Sequence, residues 1–154
     1  MPMVYETGPY LVAAVLCERV IQENDGVLTF IRIIDKITAT AAGPSPVVPD
    51  RMPPVPVNLT LAIVLRPGEA RGRHRVTVRP EAPSGQRLPE VELPVTFAGS
   101  ADTGANLLVN LNMIAQEEGL YWFDTLLNDD LLTRTPLRIE YSPRRTGVQG
   151  PQLG

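Results

Sequence analysis

Four side chains able to offer oxygen to a cation crowd one short stretch near the C-terminal end: Asp124, Asn128, Asp129 and Asp130. A hard cation such as Ca²⁺ takes six or more oxygens, so this group would need Asp25 or Asp102 from another loop to complete a shell. The spacing matches no calcium loop. The plainer expectation is turn chemistry, because Asn and Asp tolerate the left-handed backbone of tight turns.

Nucleophilic chemistry has little to work with. His74 is the one histidine and lies in Arg71-Gly72-Arg73-His74-Arg75; a general base needs an orienting partner, and this run offers arginines and solvent. Cys17 is the one cysteine, sits in an apolar run and is expected to pack in the core as an inert thiol. No Gly-x-Ser-x-Gly elbow, phosphate loop, dinucleotide fingerprint or His-Glu-x-x-His motif is present. An enzyme built from dispersed carboxylates such as Asp35 and Asp124 has no motif behind it, so the expectation is a non-enzyme without a cofactor.

Three features could instead bind a partner. Arg73, Arg75 and Arg79 fall on the outer face of one strand, where they would dock an acidic or phosphorylated ligand or simply keep an edge soluble. Pro53 and Pro54, within Pro53-Pro54-Val55-Pro56, could hold a polyproline conformation for a partner domain or stiffen a connection between sheets. Trp122, the one tryptophan, shares a strand face with Asp124, and its exposure would turn that face into a binding surface.

The elements that must position these residues read as strands. In Gly119–Leu127, Tyr121, Phe123, Thr125 and Leu127 alternate with Leu120, Trp122, Asp124 and Leu126; after the polar turn, Leu137, Ile139 and Tyr141 oppose Arg138 and Glu140. A first strand from Tyr10 to Glu23 leads through Asp25-Gly26 into a single strand over 27–38, with Ile31, Ile33 and Ile37 on one face, Leu28, Phe30 and Ile34 on the other, and both faces buried. Residues 43–56 are too rich in proline for a central strand. Further strands are expected over 57–65, over 73–81 with Arg75, Thr77 and Arg79 outward, over 91–97 at an edge because of Pro94, and over 106–114. Short strands between regular turns predict an all-β fold: an antiparallel β-sandwich of about eight strands, immunoglobulin/C2-like. C2-like sandwiches bind calcium at loop ends, which is why the acidic turn 124–130 stands as the alternative site.

With 154 residues and 44% hydrophobic content, one sandwich over 10–142 is expected, between an N-terminal segment 1–9 and a flexible tail 143–154. A net charge of -3 speaks against a general nucleic-acid binder. The absence of an apolar run near ~20 residues speaks against a helical membrane span. The lone cysteine and the lack of a signal-peptide pattern at the start point to the cytoplasm.

The two ends together, LVAAVLCERVIQENDGVLTFIRIIDKIT and GLYWFDTLLNDDLLTRTPLRIEY, resemble a family of short bacterial proteins of unknown function. The resemblance implies a small sandwich and no known activity. It carries a glycine in the last turn, where this chain has Asn128-Asp129-Asp130. Glu117-Glu118-Gly119-Leu120-Tyr121 is also similar to the tyrosine corner of immunoglobulin-like sandwiches, with Tyr121 as the tyrosine. The expected function is a non-enzymatic interaction or structural module that binds a protein or itself.

Overall fold

The structure is a computed structural model and describes residues 7–40, 50–99 and 104–142. Among these residues nine strands form two sheets: β1 (Tyr10–Gln22), β2 (Leu28–Ile33), β3 (Lys36–Thr40), β4 (Val55–Arg66), β5 (Gly72–Glu81), β6 (Val91–Phe97), β7 (Ala105–Ala115), β8 (Gly119–Leu127) and β9 (Asp130–Ser142). One sheet runs β2-β1-β4-β7 and the other β3-β9-β8-β5-β6. The expected all-β sandwich is thus observed.

The core lies where alternate residues of the two sheets meet. Leu61, Ile63 and Leu65 of β4 are fully buried, as are Val76 and Val78 of β5, Phe123 and Leu127 of β8, and Leu137 and Ile139 of β9. Burial of such aliphatic and aromatic side chains is the main force holding the layers together, at about 1.5–3 kcal/mol each.

Four expectations need correcting. The apolar run after Asp25-Gly26 is not one strand but two, on different sheets. β2 pairs with β1, the Ile34 amide donates to the Leu16 carbonyl, and the chain then crosses so that the Asp35 carbonyl accepts the Arg138 amide. Arg32, near the end of β2, has a φ of 56°, a left-handed conformation uncommon in a strand, and β2 ends one residue later at Ile33. Burial on both faces also fails, because β2 is an edge strand and Ile33 is 63% exposed.

The sandwich is not wholly antiparallel either. β3 runs parallel to β9, with Ile37 opposite Ile139, because the crossing from the other sheet delivers it in that direction. The proline-rich connection ends at Pro54, since β4 already begins at Val55. Pro56 is tolerated in β4 because β1 reaches only to Thr60, leaving one side of that stretch without a neighbouring strand among the described residues. Residues 43–49 of that connection, Asp102 and the tail 143–154 lie outside the described residues.

Three other expectations hold. The Asp25-Gly26 hairpin joins β1 and β2, Pro94 lies on the edge strand β6, and β8 and β9 form the terminal hairpin. In that hairpin a two-residue turn, Asn128-Asp129, has φ of 49° and 75°. Positive φ at both central residues is what a type I′ turn requires, so Asn and Asp do here what a glycine commonly does.

Candidate functional site

The outer face of the five-stranded sheet collects most of the charged residues singled out from the sequence. Register places Arg79 opposite Asp124, Glu81 opposite Trp122, and Asp124 opposite Arg134. Arg134 Nε donates to Asp124 Oδ1 at 2.7 Å, and its Nη2 reaches Glu81 Oε2 at 3.3 Å. The guanidinium also lies 4.5 Å from the centre of the Trp122 ring, a cation–π distance. Arg79 pairs with Glu90 at 3.3 Å. The Asp124 hydrogen bond, with the charges of Asp124 and Glu81, holds the Arg134 guanidinium above its ordinary range against a smaller opposing effect of desolvation.

Thr77, expected to point outward, does lie on the outer face, yet it is only 3% exposed, and its register partner Leu126 is 5% exposed. Long side chains around a small one close over it. Trp122 is half-buried rather than open, with Arg134 over its ring.

The acidic turn is directed at β5. Asn128 donates its backbone amide to the Arg75 carbonyl and accepts the Arg75 amide on Oδ1; its Nδ2 lies 2.8 Å from His74 Nδ1. Asp129 takes the Arg75 guanidinium, which holds that guanidinium above its usual range through the hydrogen bond first and the charge second. Asp124 sits on the strand face and Asp25 is occupied by its own turn, accepting the Val27 amide. Among the described residues no three His, Cys, Asp or Glu side chains gather as a metal ligand set.

His74 is not surrounded by solvent as expected. It packs against Phe97 with ring centres 5.2 Å apart, and its Nε2 faces the Arg71 carbonyl at 3.2 Å. With one ring nitrogen on the Asn128 side chain and the other on the Arg71 carbonyl, His74 is a strut for the turn. Cys17 is fully buried, and burial pushes its thiol up. Arg73, Pro53 and Pro54 are exposed, on β5 and just ahead of β4 respectively. Asp35 and Asp124 are not brought together: the first meets β9 at Arg138, the second at Arg134.

The sequence reading missed the other side of the molecule. Of the seven large apolar residues that stand exposed among the described residues, Tyr10, Val12, Val27, Ile33, Leu108 and Ile114 belong to the four-stranded sheet and its β1–β2 turn, and Leu131 alone to the other sheet. A groove of about 650 Å³ runs between the β1–β2 turn at Val27 and Leu28 and the sheet at Val12, Ala13, Val64 and Arg66. The signal for part of this was present in ANLLVNLNMIA, which has no charge and no proline, but its meaning depends on β7 being an edge.

An all-β two-sheet sandwich with most of its ion pairs on the five-stranded sheet, Arg32–Glu18 on the other, and most of its exposed apolar side chains on the four-stranded sheet is the class this structure defines. The chain belongs to DUF6941, a family of unknown function, whose pattern matches residues 12–140. No curated protein matches it. Among solved structures it is similar to an immunoglobulin-like protein from Pseudomonas aeruginosa, with 12% identity and a TM-score of 0.39, over 81% of this chain and 91% of that one.

Proposed function

We propose that this protein is a non-catalytic interaction module that binds protein through its four-stranded sheet. The observation that carries this reading is the segregation of exposed apolar surface: Tyr10, Val12, Ile33, Leu108 and Ile114 stand open on one sheet, while the other face is tied up in ion pairs. An excess of exposed apolar side chains on one sheet favours that sheet as the binding side, whereas paired surface charges mainly confer solubility. This moves the binding side away from Trp122, Arg75 and Arg79.

The test is a differential capture from extract of the native host. The wild-type chain, an Ile33→Glu/Ile114→Glu variant and an Arg73→Glu variant are compared, each checked by circular dichroism. Capture that survives Arg73→Glu and vanishes with the four-stranded-sheet variant supports the reading. Loss with Arg73→Glu alone, or no specific capture by the wild type, overturns it.

A further inference from the structure

We propose that the β7 edge pairs with the β7 edge of a second copy of this chain, antiparallel about a two-fold axis centred on Leu111; this rests on the four-stranded sheet being the binding side. An open strand edge presents unpaired amides and carbonyls to any other strand, and proteins usually guard such edges with charge, proline or brevity. Three of the four edges here are guarded. β2 has six residues and includes Arg32, β3 has five and begins at Lys36, and β6 contains Glu92 and Pro94.

β7 has none of these devices. It runs eleven residues with no charged residue, no proline and no left-handed backbone, and β4 pairs with all eleven, which leaves its opposite side open among the described residues. On its outer face Asn106, Leu108, Asn110, Asn112 and Ile114 are exposed, Leu108 at 41% and Ile114 at 56%.

The occupant is argued from self-complementarity. With the axis at Leu111, Leu108 faces the partner's Ile114 and Asn110 faces the partner's Asn112, and the two-fold repeats both pairs in reverse. Exposed apolar residues then cover each other and amides meet amides. On the inner face Val109 meets the partner's Met113, so apolar residues line up across the joint. Cross-strand pairs of this kind are what set register. The two four-stranded sheets become one continuous sheet, and no like charges oppose each other along β7.

The test uses the full chain in sedimentation equilibrium. The wild type is expected at twice the chain mass. An Asn110→Lys/Asn112→Lys variant places lysine opposite lysine twice and is expected to weaken association at least tenfold, with its circular dichroism unchanged. Mixing it with an Asn110→Glu/Asn112→Glu variant is expected to restore a heterodimer, an outcome that only direct β7–β7 pairing explains. A wild type that stays monomeric, a dimer that ignores the lysine pair, or a lysine effect that the glutamate variant does not rescue overturns the proposal. The parent reading is separable: if β7 pairing fails while Ile33→Glu/Ile114→Glu still abolishes capture, the binding side stands and its occupant is another protein.

Discussion

Asn128 grips Arg75 at both backbone polar atoms, donating its amide to the carbonyl at 2.8 Å and accepting the amide on its side-chain oxygen at 2.9 Å. The turn that joins β8 to β9 is thereby fastened to the neighbouring strand β5. An Asn128→Ala substitution deletes the side-chain acceptor and leaves at φ 49° a residue that tolerates the left-handed conformation less well than asparagine does. The expected cost is about 1–2 kcal/mol from strain and the lost bond together. Asn128→Gly keeps the conformation and loses only the acceptor, so it costs less. Urea denaturation reads both, and an alanine variant as stable as the glycine variant would show that backbone strain has no part in this turn.

A second prediction concerns Tyr121. Its hydroxyl donates to the Glu117 carbonyl at 2.9 Å and accepts the Glu117 amide at 3.2 Å, the tyrosine corner expected from the sequence. Gly119 lets the corner close, with φ 128° and so little room that a β-carbon would lie 2.9 Å from Pro83. Tyr121→Phe is expected to cost about 1–2 kcal/mol by stranding those backbone groups. Burial, more than any other influence, pushes the phenol's pKa up. The unfolded chain therefore loses this proton first, near pH ~10, so the contribution is intact below that pH and declines as pH rises through the folded value. Denaturation midpoints above pH ~10 should fall less steeply in Tyr121→Phe than in the wild type; equal slopes would sink the assignment.

How much of this was legible beforehand follows from where the information sits. The β8–β9 hairpin was readable because one face of each strand is mainly apolar and buried while the other carries the charged residues, so a period of two survives in the residue types. The β2–β3 crossing was not, because Ile33-Ile34-Asp35 contains no glycine or proline and the change of sheet depends on distant Leu16 and Arg138. Thr77 misled for a related reason: its parity was right, but its low exposure on the outer face is not visible in the alternation of residue types. The turn residues were identified, while their partners His74 and Arg75 required the register of β5 against β8.

Cys17 supplies a third prediction. Its thiol is fully buried and lies 3.7 Å from the Thr60 carbonyl, and desolvation raises its pKa despite a backbone hydrogen bond that opposes the shift. Reaction needs the thiolate and an open path. Alkylation by iodoacetamide at pH 8 should be at least about a hundredfold slower in the native chain than in urea, because labelling waits for an opening event. Comparable rates in the two states would mean that β1 opens freely or that the thiol is reachable. The raised pKa adds a pH signature of the same sign as that of Tyr121: stability is whole below the unfolded thiol's pKa, near ~8.5, and declines as pH rises through the folded value.

Thr125 offers a stabilising change. It is fully buried on the inner face of β8, between Phe123 and Leu127, and its hydroxyl has no hydrogen-bond partner among the described residues. A buried hydroxyl without a partner carries its full desolvation cost, so replacing it with a methyl of nearly the same size should relieve that cost. Thr125→Val is expected to raise stability by about 1 kcal/mol, read as a higher urea midpoint at unchanged slope. Thr125→Ser separates the two halves of the side chain: it keeps the unpaired hydroxyl, removes the methyl and should destabilise by roughly 1 kcal/mol through lost packing. If valine instead destabilises the fold, the hydroxyl is satisfied in solution, and the inner face between β8 and β9 is wetter than its apolar neighbours imply.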